Sequence, residues 1–241
     1  MAVVPLMRTA MLVRKIWSRM VVDFHAHILP GVDHGCRDLE EAISQCSLAN
    51  KAGVDTIVST PHFYPHKETL AHFLPRREAG YRQLCSALGI QKPEILLGAE
   101  VMVCEGLERM EKLKTLCIPG TKCILLEMPR RAWNDSLFRT VVAIRDQCGL
   151  TPVMAHVDRY EEADVERLFY NGIKAQLNAE GVCRLFKRNH LLRWVAEEKI
   201  VALGSDIHGV ETGYKYFLRA KKILGHGFAE IMDQTAVLLR K

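Results

Sequence analysis

Histidines and aspartates are concentrated in one short stretch of the chain, VDFHAHILPGVDHG at residues 22–35. His25 and His27 lie one residue apart beside a short apolar run, and His34 follows in a glycine-flanked loop. Imidazole and carboxylate groups bind divalent transition metals. Side chains alternate between the two faces of a β-strand, so a His-x-His pair on a strand points both imidazoles the same way. This stretch therefore indicates a metal site at the end of a strand.

Further residues of these types follow other β-rich runs along the chain. They are His62, Glu100, Glu127, His156, Asp206 and His208. Asp206 and His208 repeat the one-residue spacing of the first pair. Alone, a histidine such as His62 is more simply a loop residue, whereas the recurrence of such residues at successive strand ends favours metal binding. Asp33 is interpreted as a turn residue, and Asp23 as a residue that supports the site from outside.

Seven β-rich runs alternate with helical patterns through the chain. The runs are residues 21–25, 56–62, 94–101, 123–129, 151–157, 173–179 and 200–208. This alternation predicts an α/β fold of βα units around a parallel sheet. In a closed parallel barrel all strands point the same way, and their carboxyl ends form the rim where such barrels hold active sites. Six of the seven runs finish with a candidate ligand, so we expect these residues to converge.

Two of the intervening helices can be read in detail. In DLEEAISQCSLANKAG, the spacing of Leu39, Ile43, Cys46 and Ala49 is helical, and Gly53 marks the end. The segment NDSLFRTVVAIRDQCG at 134–149 repeats the plan. Each begins with Asp or Asn, which can cap the first amides, and each closes on glycine. Both segments are therefore predicted to be capped helices that lead into the next strand.

The candidate ligands number six imidazoles and three carboxylates. They exceed the needs of one four- to six-coordinate ion, and carboxylates can bridge ions, so we expect two or three divalent metals. Manganese, iron, zinc and cobalt all accept such ligands, which leaves the metal open. The other histidines have no strand-end placement and are not included: His66, His72, His190 and His226.

The net charge of +5 comes almost entirely from the first residues of the chain. Residues 1–20 carry Arg8, Arg14, Lys15 and Arg19 without an acid; the other 221 residues hold 29 basic and 28 acidic side chains. Nearly equal numbers of basic and acidic side chains do not provide the basic face that nucleic-acid binding needs. We therefore expect no nucleic-acid partner.

Residues 1–19 are interpreted as an N-terminal extension outside the folded domain, which we place at 20–241 as a single unit. Pro5 and two arginines interrupt this segment, so it lacks the apolar core of a signal peptide or membrane span. Eight scattered cysteines without a C-x-x-C pair are typical of reduced thiols in a cytoplasmic protein. We expect a cytoplasmic protein without a membrane span, and an oligomer stays open.

Six motifs together resemble the polymerase and histidinol phosphatase (PHP) superfamily. They are DFHAHILPGVDHG, STPHFYP, LGAE, LLEMP, GLTPVMAHVDRY and LGSDIH, and they lie in that order between residues 21 and 208. The branch they resemble most is the manganese-dependent protein-tyrosine phosphatases of bacterial capsule and exopolysaccharide operons. The resemblance implies a seven-stranded distorted (β/α)7 barrel with a trinuclear metal site, manganese being the expected metal.

Matched motif by motif, the resemblance implies three metal positions. The first is held by His25, His27, Glu100 and Asp206, the second by His34, His62 and His208, and the third by Glu100, Glu127 and His156. Glu100 would then bridge two ions. The chain departs from the branch twice, because His34 stands where the branch commonly has Asp and Asp158 where it has Glu. Other PHP branches have His at the first of these positions, so metal binding is still expected there.

Clustered divalent ions suit the hydrolysis of a phosphate monoester, because they lower the pKa of bound water toward about 7 and neutralise the phosphoryl oxygens. Arg159, three residues beyond His156, is predicted to donate hydrogen bonds to those oxygens. Arg159, Asp206 and His208 are our candidate catalytic residues, the last two also as ligands. Arg130 and Arg131 are interpreted either as contacts for an acidic peptide or as a solvated pair.

A cysteine-based tyrosine phosphatase is excluded, because no arginine lies six residues beyond any cysteine, as C-x5-R requires. The serine-hydrolase motif G-x-S-x-G and the P-loop motif are also absent. Our leading hypothesis is a metal-dependent phosphotyrosine-protein phosphatase that acts on a bacterial tyrosine kinase controlling capsule or exopolysaccharide synthesis. The alternatives are a small-molecule phosphatase of the superfamily, such as histidinol phosphatase, and a non-catalytic metal-binding module.

Overall fold

The computed structural model describes residues 20–91, 93–130, 132–184, 188–209 and 213–240. The predicted N-terminal extension and Arg131 lie outside these residues. The strands are β1 Val22–Ala26, β2 Thr56–Ser59, β3 His62–Phe63, β4 Glu94–Leu97, β5 Glu100–Met102, β6 Cys123–Glu127, β7 Thr151–Met154, β8 Lys174–Asn178 and β9 Ile200–Gly204.

Helices connect the strands. They are α1 Leu39–Lys51, α2 Leu70–Leu88, α3 Asp135–Asp146, α4 Glu162–Tyr170, α5 Ala179–Cys183, α6 Arg188–Ala196, α7 Gly213–Leu224 and α8 His226–Leu238. Short 3-10 turns lie at Leu107–Arg109, Leu113–Leu116 and Val157–Arg159. The predicted alternation of strands and helices is therefore confirmed.

The strands form two parallel sheets. One has the order β1-β2-β4 and the other the order β3-β5-β6-β7-β8-β9. Every pairing is parallel, as the α/β class predicts. The sequence predicts a single closed barrel, and the structure differs: within the described residues the ladder is divided between two sheets instead of running around one ring.

The division comes from a break within two of the predicted strands. The run at 56–62 separates into β2 and β3 around Pro61, whose nitrogen has no hydrogen to donate to a ladder. The run at 94–101 separates into β4 and β5 around Gly98, where an added Cβ would lie 3.3 Å from Val58. The broken runs still contact each other, since Gly98 N donates to Ser59 O at 2.8 Å. The break is therefore local.

The first and last strands also lie side by side. Ala26 and Ile207 form an isolated parallel bridge. On either side of it, His27 N donates to Ile207 O at 3.0 Å, and Asp206 N donates to His25 O at 2.7 Å. These bonds bring two segments with candidate ligands together, although the chain separates them by about 180 residues.

Helix α1 has the predicted cap and most of the predicted apolar face. The Asp38 carboxylate accepts the amide hydrogen three residues on at 2.9 Å, which satisfies a free N–H group of the first turn. Cys46 and Ala49 are buried, whereas Ile43 is exposed although it belongs to the predicted apolar pattern. Gly53 follows the helix with a φ of 76°, a left-handed conformation that glycine adopts without strain.

The core between sheets and helices fixes the strands beneath the candidate site. Its largest fully buried side chains include Trp194, Phe24, Phe63 and Phe217. Burying each such side chain contributes about 1.5 to 3 kcal/mol. Strand β1 is buried along its whole length, as expected of parallel strands covered on both faces. The strand ends that carry the candidate ligands therefore rest on a rigid base.

Candidate metal centre

The nine predicted ligand residues meet at one end of the sheets. They come from β1 and the loop after it (His25, His27, His34), β3 (His62), β5 (Glu100), β6 (Glu127) and the segments after β7 and β9 (His156, Asp206, His208). Ligand atoms within 4.8 Å of one another form three groups: His25 with His27 and Asp206, His27 with His62 and His208, and His62 with Glu100 and Glu127. The metal positions that the resemblance implies divide the nine residues into three clusters. We call them the buried cluster (His25, His27, Glu100, Asp206), the open cluster (His34, His62, His208) and the carboxylate cluster (Glu100, Glu127, His156).

The ligand atoms of the buried cluster face one another at short distances. The Nε2 atoms of His25 and His27 lie 3.1 Å apart. Glu100 Oε2 lies 3.2 Å from the first and 3.3 Å from the second, and Asp206 Oδ1 lies 3.5 Å from each. An ion bound at about 2.1 Å from its ligands spaces neighbouring ligand atoms by about 3.0 to 3.4 Å in octahedral or tetrahedral geometry. The cluster therefore fits a transition-metal ion.

Glu100 connects this cluster with the other two. Its Oε2 atom lies 2.9 Å from His62 Nδ1 in the open cluster. Its Oε1 atom lies 2.7 Å from His156 Nε2 in the carboxylate cluster. Glu127 lies within reach of the same two histidines, with distances of 3.9 Å to His62 Nδ1 and 3.6 Å to His156 Nε2. The two oxygens of Glu100 thus face different sets of nitrogens, as a bridging carboxylate requires.

The open cluster is looser and closer to solvent. His62 Nε2 and His208 Nε2 lie 3.3 Å apart. His34 contacts both through its ring, with centroid distances of 4.6 Å to His62 and 4.7 Å to His208. His34 is exposed and the side chain of His208 is 27% exposed, whereas the four residues of the buried cluster are buried.

Several central oxygen and nitrogen atoms lack hydrogen-bond partners among the described residues. They are Glu100 Oε2, Glu127 Oε2, Asp206 Oδ1 and His62 Nδ1. Glu100 Oε2 and Asp206 Oδ1 lie within ion-pair distance of histidine nitrogens but accept no hydrogen bond from them. A buried polar atom without a hydrogen bond costs about 1 to 3 kcal/mol. These are the atoms that face one another across the clusters, so a bound cation satisfies them where the protein does not. The residues present therefore fit divalent metal ions.

Neighbouring side chains fix the orientation of two histidines. His25 Nδ1 lies 3.0 Å from Gln176 Oε1, which leaves Nε2 free to face the cluster. His27 Nδ1 lies 2.7 Å from Asp33 Oδ2, with the same consequence. Asp33 also accepts from Gly35 N at 2.9 Å, so it shapes the turn as predicted and in addition orients His27. Such partners hold ligating histidines in one tautomer.

Strand β8, the one predicted strand without a candidate ligand, supplies this support from both of its inward amides. Gln176 Nε2 donates to Asn178 Oδ1 at 2.8 Å, and Asn178 Nδ2 donates to Asp206 Oδ2 at 3.1 Å. Neither residue was predicted to belong to the site. Their alternation in KAQLN places them on one face of a strand and was the available signal.

Asp23 supports the site from outside, as predicted. It is fully buried, and its Oδ1 accepts from Ser205 N at 2.8 Å. Its Oδ2 accepts from the Tyr214 hydroxyl at 3.0 Å. Burial raises the pKa of Asp23 to about 6, while these hydrogen bonds oppose the rise. Asp23 thereby ties β1 to the start of the segment that carries Asp206.

Two of the nine residues have left-handed backbones. His156 has a φ of 35° and Asp206 a φ of 51°, conformations that cost non-glycine residues about 1 to 3 kcal/mol. Hydrogen bonds hold both in place: His156 N donates to Gln176 Oε1 at 2.8 Å, and Asp206 N donates to the His25 carbonyl. Strain of this kind concentrates at functional sites.

Burial and mutual charge separate the pKa values of the site residues. Burial raises the pKa of Glu127 to about 7, and the nearby Glu100 carboxylate adds to the rise. Burial opposes ionisation of Glu100 as well, but His25 and the hydrogen bond from His156 hold the pKa of Glu100 well below its ordinary value. Burial and the neighbouring His27 lower the pKa of His208 to about 4. His208 is therefore neutral near pH 7, the form that binds metals.

Arg159 lies at the edge of the buried cluster. Its Nη2 donates to Asp206 Oδ2, and its side chain is 39% exposed. Asp158, where the chain departs from the family pattern, instead points inward and accepts from Asn178 N at 3.0 Å. Arg159 is thus anchored to the site while part of it faces outward, and Asp158 supports the strand that carries the two amides.

Two histidines outside the site, the cysteines and the helices bear on the other predictions from the sequence. His72 lies 3.2 Å from Glu68 and His226 lies 3.4 Å from Glu230, so both pair outside the three clusters. Each of the eight cysteines is a free thiol. Among the helices of the described ranges, none combines the length and the apolar character needed to cross a bilayer.

Two curated proteins similar to this chain are tyrosine phosphatases by name. The tyrosine-protein phosphatase CpsB of Streptococcus agalactiae serotype III (strain NEM316) is 28% identical over 234 residues, covering 87% of this chain and 92% of that protein. The tyrosine-protein phosphatase YwqE of Bacillus subtilis (strain 168) is 28% identical over 207 residues, covering 80% of this chain and 79% of YwqE.

A crystallographic study of YwqE from Bacillus subtilis and CpsB from Streptococcus pneumoniae describes them as unique metal-dependent tyrosine phosphatases. One chain from that study matches this structure with a TM-score of 0.74 at 24% identity, covering 91% of this chain and 94% of that chain. The match shows that the fold is shared. In addition, the family described as capsular polysaccharide synthesis, CpsB/CapC, matches residues 21–234. This chain therefore belongs to the CpsB/CapC family of capsular polysaccharide synthesis.

Proposed function

We propose that this protein is a metal-dependent phosphotyrosine-protein phosphatase. The observation that carries the proposal is the meeting of nine imidazole and carboxylate side chains at one end of the sheets, where several central atoms have no hydrogen-bond partner among the described residues. Family membership supports it, as does the name tyrosine-protein phosphatase that relatives in two genera carry. The protein substrate would be a bacterial tyrosine kinase that regulates capsule or exopolysaccharide synthesis.

In this proposal the buried, open and carboxylate clusters hold two or three divalent ions between them. When bound, such ions neutralise phosphoryl oxygens and lower the pKa of water, which is the chemistry that hydrolysis of a phosphate monoester needs. The protein's own part is to hold the ligand atoms in place. Gln176 and Asp33 do this for the two histidines of the buried cluster, and Asn178 does it for Asp206.

Arg159 is proposed to bind the phosphoryl group. Its guanidinium carries five N–H donors in a planar fork, and the bond to Asp206 fixes the direction of that fork. A fixed cation beside the transferred group stabilises the charge of the transition state without reorganisation. Asp206 and His208 are proposed to contribute to catalysis as ligands, since their side chains belong to the buried and open clusters.

Three finer proposals accompany the function. If β2 with β3, and β4 with β5, each count as one interrupted strand, the nine strands reduce to a distorted seven-stranded barrel in one domain spanning 20–241. Manganese is the proposed metal, supported by the resemblance to manganese-dependent phosphatases. A cytoplasmic location is supported by the eight free thiols.

The test compares two substrates on one metal-loaded preparation. Phosphate release from a phosphotyrosine peptide should exceed release from histidinol phosphate in kcat/KM, with Mn²⁺, Fe²⁺, Zn²⁺ and Co²⁺ loaded in parallel to rank the metals. Preferred turnover of histidinol phosphate would replace the proposal by a small-molecule phosphatase. Bound metal without turnover of either substrate would instead favour a non-catalytic metal-binding module.

A further inference from the structure

Two cavities open beside the metal centre. One, of about 580 Å³, is lined in part by Trp133 and Tyr160, and we call it the aromatic cavity. Both cavities are bounded by Glu127, Arg130 and Arg159. A phosphoryl group held at Arg159 can therefore direct its organic group into either cavity. The walls of the two cavities decide which one suits an aromatic ring.

The second cavity, of about 530 Å³, is lined in part by Tyr64, His66 and Lys67, and we call it the basic cavity. The Tyr64 ring already has neighbours, because the His62 ring lies 5.1 Å from it at 20° and the Lys67 ammonium lies 4.3 Å from its centroid. A further ring there would have to displace the ammonium or stack beside it. The basic cavity thus offers polar contacts more than free aromatic surface.

One side of the aromatic cavity is an aromatic wall, while Glu161 and Asp164 are among the charged residues that line the rest. The Trp133 and Tyr160 rings meet at 71° with centroids 4.8 Å apart, and Phe138 packs edge-on against Trp133 at 5.6 Å. Their polar atoms are occupied by the backbone: Trp133 Nε1 donates to Pro129 O at 2.9 Å, and the Tyr160 hydroxyl accepts from the amide of residue 128 at 3.0 Å. The rings therefore need no polar partner from a ligand.

This wall also lies next to the reacting end of the site. Tyr160 directly follows Arg159 in the chain, and its ring centroid lies 5.5 Å from that of His156. Glu127 and His156 both line the aromatic cavity, so it reaches the carboxylate cluster. An aromatic ring joined to a phosphate by one oxygen can thus contact the wall while its phosphate lies at the metal ligands.

We propose that the aromatic cavity is the subsite for the aryl ring of an aryl phosphate monoester, with Trp133 and Tyr160 as its walls. The inference rests on the proposed function, because it takes the phosphate to lie at the metal centre beside Arg159. It adds the place of the substrate's ring and a basis for choosing aryl over alkyl phosphates. Aromatic pairs in such edge or offset arrangements gain energy beyond simple burial.

The test measures direct binding of phenylphosphonate and methylphosphonate to the metal-loaded protein by calorimetry. The two probes share the phosphonate and differ in the ring, so the ratio of their Kd values isolates the aryl contribution. The wild-type ratio should favour phenylphosphonate by at least about 10-fold. Trp133→Ala should reduce this ratio about 5- to 10-fold with the Kd of methylphosphonate unchanged.

Two further variants make the result decisive. Trp133→Phe keeps an aromatic face at the wall and should retain most of the ratio of Kd values. This control separates the loss of the aromatic face from a general packing defect in Trp133→Ala. Tyr64→Ala removes an aromatic ring from the basic cavity and should leave the ratio unchanged. A ratio that falls in Tyr64→Ala but not in Trp133→Ala would place the ring in the basic cavity and overturn the proposal.

The binding test is independent of turnover. A wild-type ratio near one, or no measurable binding of phenylphosphonate, would overturn the aryl subsite even if the protein hydrolyses phosphotyrosine. Conversely, failure to hydrolyse phosphotyrosine would remove the proposed function while a Trp133-dependent ratio still established an aryl-phosphonate site. The two claims can therefore fail separately.

Discussion

The buried and open clusters use the same kinds of side chain in different surroundings. In the buried cluster, the two histidine Nε2 atoms lie 3.1 Å from each other and 3.2 to 3.5 Å from the two carboxylate oxygens, and the histidines have fixed partners in Gln176 and Asp33. In the open cluster, His34 contacts its neighbours by ring stacking and is exposed. The ligands of the buried cluster are thus already placed for a metal ion, whereas those of the open cluster must move when an ion binds.

This difference predicts an order of affinity. Ligands that are already placed lose little conformational freedom on binding, so the buried cluster should bind its ion more tightly. The open cluster borders the basic cavity, so its ion should exchange faster and lie nearer the substrate.

Glu100 faces all three clusters, whereas His34 belongs to one. Glu100→Ala should therefore remove most bound metal and lower phosphotyrosine phosphatase activity by about 10³-fold or more. Such a loss corresponds to the several kcal/mol by which metal ions stabilise the transition state. His34→Ala should cost one ion at most. Elemental analysis alongside kinetics of both variants checks this. Equal metal loss from the two variants would end the distinction between the clusters.

Arg159 adjoins the buried cluster through Asp206 without being a predicted ligand. Arg159→Ala should lower kcat/KM by roughly 10²-fold, because it removes a cation that stabilises the transition state, and metal content should not change. Arg167→Ala serves as the matched control, since Arg167 pairs with Asp135 on the surface. Wild-type kinetics in Arg159→Ala would make Arg159 a surface residue.

Gln176 is predicted to hold the ligands of the buried cluster in place before a metal ion binds. Gln176→Met removes the acceptor for His25 Nδ1 and should weaken metal affinity about 10- to 100-fold, as the loss of such an orienting partner typically does. Gln176→Glu keeps an acceptor oxygen and should lose less. Chelator competition with each variant measures the effect.

Gln45 provides the matched control for Gln176. It is equally buried, and its amide has no hydrogen-bond partner among the described residues. Gln45→Met should leave metal affinity unchanged and raise the free energy of unfolding by about 1 kcal/mol, because it removes an unsatisfied buried amide. If both substitutions weakened metal binding alike, Gln176 would act through general packing.

The sequence predicts that residues 1–19 are an extension of the folded domain, so the smallest effect is expected from removing them. A protein beginning at Met20 should keep activity within a factor of about three, because removing an unanchored terminus costs little. Activity and soluble yield of the shortened protein are the readouts. Loss of soluble expression would mean that the segment packs on the domain.

The sequence predicted the α/β class and the residues that meet at the site, because candidate ligands recur at the ends of successive β-rich runs. It did not predict the division into two sheets, because Pro61 and Gly98 interrupt the strand ladder in a way that depends on which strands pair. The alternation in KAQLN places Gln176 on one face of its strand, but it does not show that the amide contacts His25, which lies 151 residues away in the chain. The local sequence pattern predicts where a residue lies on its strand, whereas hydrogen bonds between residues far apart in the chain are seen only in the folded structure.

Stepwise metal loading tests the central claim most directly. Metal-free protein is titrated with Mn²⁺ while bound metal and phosphate release from a phosphotyrosine peptide are measured on the same samples. Activity should keep rising after the first equivalent, which fills the buried cluster, and reach its maximum at two to three ions per chain. Full activity at one ion or fewer would contradict a multinuclear centre built from these three clusters.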